Sequence, residues 1–380
     1  GSDGATTNIA ANYGIGIGKK GGFINFTGDF DVREEFTRMK EWEGSIFNLY
    51  STTERFAAND GYDISLLLDD DVTDVIQYAN EAGIDLGGAT TKEDLRTILS
   101  ANNTDAELSA RGLERSDFNM RVGQSALRGG RFFANMALPI NDDGTEFYAN
   151  VGLGKRAGNS AGFYRLPNQA RTFTGVYFNG FLPEINSKIS DQSLSTGIRG
   201  KAKDWNVDFS NTYGKNSFLF EISNTSNASL LNATPTRFDA GGFSFTQNTT
   251  NLDLSRRFDD VAEGLNVAFG AEHRFENYSI VAGQLDVNGD PITNPNQETK
   301  KDFFGDPRPG GSQVFPGFSP TNEVSRDRSS VAGYIDLEAD LSSAFLLGVA
   351  ARFEDYSDFG STINAKVSAR YKATDNISIR

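Results

Sequence analysis

Hydrophobic and polar residues alternate with a period of two along most of the chain. In FGSTINAKVSARYK, residues 359–372, every second position from Ile363 to Tyr371 is apolar, and the positions between them are polar. This period predicts a β-strand with one apolar and one polar face. The apolar face could pack in the core of a soluble sandwich, or it could contact lipid while the polar face lines a hydrated lumen.

The same alternation predicts a series of antiparallel hairpins. The first joins residues 6–18 to residues 23–32 through KKGG, a short glycine turn. Later hairpins turn at NDDG, near Lys203 and Asp204, at DDVAEG, at the SS of residues 342–343 and at KATDN. We count about eleven complete strands and the beginning of one more.

Short and long connections alternate along the chain, and the longest, at 34–118, has a helical texture. Within DDVTDVIQYANEAG one helix face carries Val72, Val75, Ile76 and Ala79. Thr91 is placed to cap a second helix, with Asp94 three residues later. The connection is therefore expected to be an ordered lobe.

These elements predict three regions. Residues 1–33 form a barrel hairpin, residues 34–118 form an extracellular lobe with short helices, and residues 119–380 form further barrel strands. Other extracellular loops are expected near 157–193, 223–247 and 279–326. Short turns at one end and long loops at the other are typical of outer-membrane barrels.

The polar face distinguishes the barrel from the sandwich because it carries many charges. They are Asp29, Arg199, Asp208, Glu272, Arg274, Asp336, Glu338, Arg352, Glu354, Lys366 and Arg370. Burying these groups between two dry sheets would be very costly, whereas a lumen keeps them hydrated. The predicted fold is all-β, an antiparallel transmembrane β-barrel of which this chain supplies part.

Composition narrows the classes of function. Of the 380 residues 38% are hydrophobic, and no apolar run has the length of a membrane-spanning helix. The net charge of −15 argues against nucleic acid as a partner, because phosphates need a basic surface. Because the chain has no cysteine, disulfides and Cys-based metal sites are excluded.

Several phrases, in their order along the chain, resemble TonB-dependent outer-membrane receptors. They include GFYRLPNQARTF, NGFLPEINSKISDQSLSTGIRG, WNVDFSNTYGKN, LNVAFGAEHRFENYSI, QVFPGFSP, SRDRSSVAGYIDLEAD and ARFEDYSDFGSTINAKVSARYK. The resemblance covers nearly the whole chain and is best from Asn119 onward.

The resemblance implies a barrel of about 22 strands filled by a plug domain, with a TonB box before the plug. It implies nutrient import across the bacterial outer membrane, powered by the TonB-ExbB-ExbD complex, without enzymatic activity or a cofactor. The chain shows neither plug nor TonB box and ends where the family continues with further strands. We therefore expect it to be the middle of a longer receptor, in contact with outer-membrane lipid.

If the chain is a receptor, ligand contacts should come from loop tips and the upper lumen walls, where aromatic rings lie beside amide and guanidinium groups. The candidates are Phe163, Tyr164, Arg165, Asn168, Arg171, Tyr177, Phe178, Glu184, Arg237, Phe238, Asp239, Phe315, Phe318 and Arg326. The alternative is a purely structural role, in which these side chains only pack the loops together. The ligand could be a siderophore, a carbohydrate, a peptide or a cofactor.

No catalytic or metal site is predicted. The single histidine, His273, lies on the apolar face beside Phe275 and is expected at the lipid headgroup level. Residues 67–74 and 286–291 faintly resemble calcium loops without the EF-hand spacing. Asn211 is unexplained, because it occupies an apolar-face position between Phe209 and Tyr213.

Two other classes of protein share parts of this pattern. A passive porin-like channel has the same alternation and loop asymmetry but no plug. A secreted β-rich binding protein or adhesin would pair its apolar faces in a dry core.

Overall fold

The computed structural model describes residues 3–66, 72–285, 300–374 and 376–380. These residues form one antiparallel sheet of twelve strands in chain order. The strands are β1 (Thr6–Ile17), β2 (Gly22–Arg33), β3 (Ala126–Pro139), β4 (Glu146–Ala161), β5 (Glu184–Ala202), β6 (Trp205–Ser223), β7 (Arg237–Phe258), β8 (Leu265–Val281), β9 (Val324–Ser342), β10 (Phe345–Tyr356), β11 (Gly360–Thr374) and β12 (Ile377–Ile379). The all-β prediction is confirmed.

One face of the sheet is apolar and uncovered. Direct partners in an antiparallel pair share a face, so Ile198 on β5, Phe209 on β6 and Leu252 on β7 form one row. Their exposed fractions are 46%, 54% and 41%. Within the described part of the chain there is no second sheet to cover this row. The structure thus has the face expected of a partial barrel and lacks the dry core of a sandwich.

The opposite face carries the predicted charges, and several of them form ion pairs. On β8, Arg274 Nη2 lies 2.6 Å from Glu272 Oε1. Arg352 on β10 reaches the same Glu272 oxygen at 3.0 Å and Glu354 at 3.3 Å. Residues two apart on one strand point to the same face, as do directly paired residues on neighbouring strands. This geometry brings the two carboxylates and the two guanidinium groups together.

Similar contacts run along the other strands of this inward face. Arg131 pairs with Asp29 at 2.8 Å, and Arg199 pairs with Glu146 at 2.5 Å. The Tyr148 hydroxyl donates to Asp208 at 2.8 Å. The predicted polar face is therefore present as an ion-paired surface.

Loop lengths differ between the two ends of the sheet. At one end the connections are residues 18–21, 140–145, 203–204, 259–264 and 343–344. At the other end they are residues 34–125, 162–183, 224–236, 282–323 and 357–359. Several loops are shorter than the predicted ranges because the strands continue into them. For example, β5 begins at Glu184 and β7 at Arg237.

The connection between β2 and β3 contains four α-helices. They are α1 (Leu49–Asn59), α2 (Thr73–Glu81), α3 (Lys92–Leu99) and α4 (Thr104–Arg111). The two predicted helices are α2 and α3, and Thr91 caps α3 by accepting from the Asp94 amide. Of the helices in the described ranges, none is long and apolar enough to cross a bilayer.

The ion pairs of the inward face generate a first prediction. Arg352→Met removes the ion-pair partner of Glu354 and one of the two ion-pair partners of Glu272. We expect a loss of about 1–3 kcal/mol in the free energy of unfolding, measured by denaturant titration of the full-length protein in detergent. Arg352→Lys should lose less because it keeps the charge. Exposed Lys201, near the end of β5, provides the control variant Lys201→Met. Equal losses for Arg352→Met and Lys201→Met would contradict the role of the network.

Candidate functional site

The long connections pack into one body, which we call the loop assembly: the described residues of 34–125, 162–183, 224–236 and 282–323. One of its hydrophobic clusters joins Leu95 and Leu99 of α3 to Phe303 of the β8–β9 connection. Another joins Phe47 and Phe118 to Leu166 of the β4–β5 connection. The main hydrophobic core of the protein therefore lies in its loops.

Local capping chemistry sets the helices of this assembly. The Asn48 side chain accepts a hydrogen bond from the Ser51 backbone amide at 2.9 Å. In turn, the Ser51 hydroxyl accepts one from the Asn48 backbone amide at 3.4 Å. This capping box starts α1. Gly112 ends α4 in the left-handed conformation, with φ of 66°.

A buried carboxylate links α1 and α4. The Glu107 side chain is 1% exposed and lies 2.9 Å from Arg55 and 2.8 Å from Arg111. Burial alone would raise the pKa of Glu107, but hydrogen bonds from Arg55 and Arg111 lower it below its ordinary value. The Arg111 guanidinium also stacks over the Phe47 ring at 4.5 Å and the Phe178 ring at 4.3 Å.

A second buried carboxylate lies where three connections meet. Glu54 of α1 is 6% exposed and accepts a hydrogen bond from the Thr174 hydroxyl at 2.6 Å. Burial raises its pKa to about 7, although the hydrogen bond and the charges of Arg111 and Arg308 oppose the shift. The adjoining cavity measures only about 30 Å³, which is too small for a nutrient ligand.

Arginines tie the connections to one another. Arg96 of α3 pairs with Asp306 at 2.8 Å and donates to the Phe304 carbonyl at 2.7 Å. Arg308 is 5% exposed and donates to the Thr172 carbonyl at 2.9 Å. Burial lowers its pKa, opposed by nearby Asp302 and Glu54. These contacts fix the β8–β9 connection against the lobe and the β4–β5 connection.

Three of the predicted ligand contacts lie at interfaces within this assembly. The Tyr164 ring packs 5.1 Å from that of Phe118, and burial raises the Tyr164 pKa to about 12. Arg165 is 6% exposed and donates to the Gln313 side chain at 2.9 Å, and burial lowers its pKa to about 10. Asn168 donates to the Ser45 hydroxyl at 3.1 Å.

Other predicted contacts are spread over different surfaces. Phe163, Arg171 and Phe178 are exposed, Phe163 by 66%. The Tyr177 ring lies 4.5 Å from that of Phe181. Phe315 and Phe318 pack 5.6 Å apart and cover Phe220.

The remaining predicted contacts lie at strand ends. Glu184 pairs with Arg121, and Arg237 pairs with Glu221. Phe238 is fully buried, and the Asp239 carboxylate accepts from the Gly241 amide at 2.9 Å. Exposed Arg326 lies on β9 opposite Tyr278. The fourteen predicted residues therefore do not converge on one pocket.

The largest cavity that we describe, about 650 Å³, lies on the sheet and was missed by sequence reasoning. Its inward-facing lining includes Asp29, Arg131, Phe133, Gly152, Gly154, Asp191, Gly214, Asn216, Phe245 and Gln247. Gly154 and Gly214 leave space because they project no side chain toward the inward face, whereas the Ser193 hydroxyl fills the space at Gly152. The size suits a small-molecule ligand. The alternation of glycines with larger residues along β4 is the sequence feature that could have predicted this cavity.

The structure gives the positions of the two polar residues that the sequence places on the apolar face, His273 and Asn211. His273 faces outward on β8, in the row that contains Thr250 and Asn211. Asn211 donates to Asn248 at 2.9 Å and to Thr250 at 2.8 Å, which satisfies its amide on the apolar face. The candidate calcium segments fall wholly or partly on residues 67–71 and 286–299, outside the described residues.

Comparison with known proteins gives a family and a fold. Residues 130–380 match the family model described as TonB dependent receptor-like, beta-barrel. A mutant of the ferric enterobactin receptor PfeA from Pseudomonas aeruginosa is similar in structure, with a TM-score of 0.51 and 9% sequence identity. The siderophore receptor PirA from Acinetobacter baumannii gives the same values. The comparison with curated proteins finds no match.

The two structural matches cover 98% of this chain, but only 40% of the PfeA chain and 39% of the PirA chain. The chain thus spans about two fifths of the length of these receptors. The family model covers well over half of the chain, and the open antiparallel sheet has the architecture that this match predicts. The chain belongs to the TonB-dependent receptor family, with residues 130–380 in the β-barrel domain.

Proposed function

We propose that this chain is part of an outer-membrane receptor that captures a scarce nutrient at the loop assembly and imports it through a plugged barrel. Import is powered by TonB-ExbB-ExbD and involves no catalysis. The nutrient is a siderophore, a carbohydrate, a peptide or a cofactor. Among the structural observations, the packed loop assembly carries the proposal, because a simple pore has no need of a loop body with its own buried core.

The inward cavity supports the import step. It lies on the polar face, between the ion pair of Asp29 with Arg131 and the aromatic ring of Phe245. Such a lining offers charged groups and an apolar surface to a polar molecule that leaves the loop assembly. In this proposal the loops select the ligand, and the ion-paired inward face forms the wall of its path.

Energy dependence tests the proposal. The full-length protein is expressed in a host, and uptake of a nutrient panel covering the four classes is measured with and without a protonophore. We expect saturable uptake of one class that disappears when the protonophore is added. Uptake that persists in the presence of the protonophore would identify a passive porin-like channel instead.

The lobe provides a second prediction. Arg33 of β2 pairs directly with Leu127 of β3, so a short glycine-serine linker can replace residues 36–123 without separating these strands. The remaining loops would lose their packing against the clusters of Phe47 and Leu95. We expect barrel assembly to persist and uptake to fall at least about tenfold. Heat-modifiable electrophoretic mobility reports assembly, and failure to assemble would show that the lobe has a structural role instead.

Glu54 provides a third prediction, on pH. Its pKa is raised from 4.5 in the unfolded chain to about 7, so the unfolded state holds fewer protons between these values. This contribution to stability is therefore greatest at low pH and falls as the pH rises to about 7, by on the order of 3 kcal/mol. Glu107, with its lowered pKa, has the opposite dependence, but only at more acidic pH.

Hydrogen exchange of the α1 amides in the full-length receptor, corrected for intrinsic rates, measures this effect. Wild-type protection should fall between pH 5 and 7.5, whereas Glu54→Gln, which still accepts from Thr174, should stay protected. Glu93→Gln, at an exposed position of α3, is the matched control and should behave as wild type. The same pH dependence in wild type and in Glu54→Gln would contradict the assignment to Glu54.

A further inference from the structure

A group of basic side chains lies on the outward face of the sheet, just beyond its apolar band. On β4 the outward positions Leu153 and Lys155 follow one another, and on β6 Tyr213 is followed by Lys215. On β3 the outward face continues from Phe132 through Gly130 to Arg128. In each strand the cation lies on the side toward the long connections.

The register brings Arg128, Lys155 and Lys188 close together, whereas Lys215 lies in the row of Leu153, two strands from β4. Arg128 and Lys188 both flank Ala157 in one row, and Lys155 lies two residues along β4 from that alanine. Diagonal neighbours of this kind are about 7–8 Å apart. We call Arg128, Lys155, Lys188 and Lys215 the basic patch.

Three members of the basic patch have no acidic partner. Among the described residues, Arg128, Lys155 and Lys215 form no ion pair, and all three are exposed. Lys188 lies 3.5 Å from Glu221. Most other arginines of the sheet are ion-paired, in a chain whose net charge is −15. The charges of these three side chains are therefore available to an external anion.

The surface within the patch has room for a headgroup. Small residues surround Lys155 in its row and the next, namely Gly130, Ala157, Ser190 and Ser217. An adjoining cavity of about 380 Å³ is lined by Arg128, Lys188 and Arg237, with Glu221 as its carboxylate. The cavity thus has three cations facing one anion.

We propose that the basic patch binds the phosphate of a membrane lipid headgroup. The apolar band below it, with Leu153 and Phe132 49% and 42% exposed, would hold the acyl chains of the same lipid. Lys and Arg at such a boundary keep their charged ends in the headgroup layer. The inference rests on the membrane insertion proposed above and adds a specific lipid contact.

Native mass spectrometry of the full-length receptor in detergent tests the inference. The probes are phosphatidic acid, phosphatidylcholine with the same acyl chains, and inorganic phosphate. We expect phosphatidic acid to bind at least about tenfold tighter than the other two probes. The variant with Arg128→Gln, Lys155→Gln and Lys215→Gln should lose this preference. Equal binding of the two lipids, or an unchanged preference in the variant, would overturn the proposal.

The matched control carries Lys40→Gln, Lys300→Gln and Lys301→Gln in the loop assembly, with the same change in charge. It should bind phosphatidic acid like wild type. If it loses the preference for phosphatidic acid as the basic-patch variant does, net charge explains the effect and the proposed site is overturned. Uptake and heat-modifiable mobility are measured in parallel. Failure of the functional proposal would appear as absent uptake, whereas failure of this inference would leave uptake intact without a headgroup preference.

Discussion

An extended strand places neighbouring side chains on opposite faces, and each long strand of this sheet therefore presents different chemistry to its two sides. The outward row of Ile198, Phe209 and Leu252 offers hydrocarbon to its surroundings, while Glu272 and Arg352 face inward. A bilayer also leaves no water for free backbone groups, so spanning strands must pair with one another. The eleven consecutive antiparallel pairings among the twelve described strands meet this requirement along the sheet interior.

The sheet and the loop assembly are stabilised by different interactions. The sheet is held by its backbone hydrogen bonds and its inward ion pairs. The loop assembly is held by ordinary hydrophobic burial around Phe47, Leu95 and Phe173, with Glu54 and Glu107 enclosed. Conditions that alter the protonation of Glu54 should therefore affect capture of ligand more than the wall of the barrel.

The strands could be predicted because alternation is a local property, and α2 and α3 because an apolar face or a capping threonine marks them. The helix α1 was missed because it buries Ser51, Thr52, Thr53 and Glu54, which read as polar surface in the sequence. The predicted ligand residues illustrate a second limit. Contacts such as that of Arg96 with Asp306 join residues 210 positions apart, and no local pattern reports them.

Contacts between residues distant in sequence also determine where the candidate sites lie. The sequence prediction placed ligand contacts at loop tips and upper lumen walls, and two of the residues it names, Arg165 of the β4–β5 connection and Phe238 of β7, are buried. The inward cavity depends on Gly154 of β4 and Gly214 of β6, which are distant in sequence and are brought together by the register of the sheet. Which face of a strand is apolar is thus a local property, whereas the position of a cavity depends on the neighbours that the fold supplies.

In the membrane, the apolar outward face should contact lipid, and the polar inward face should not. Because the chain has no cysteine, single cysteines can be introduced along residues 265–281 of β8 and spin-labelled in the full-length protein in bilayers. We predict that collisions with oxygen peak at Val267, Phe269, Ala271 and Phe275, whereas a water-soluble nickel reagent reaches the inward positions Ala268, Gly270, Glu272 and Arg274. Accessibility without a two-residue period, or with oxygen peaks at Glu272 and Arg274, would contradict this prediction.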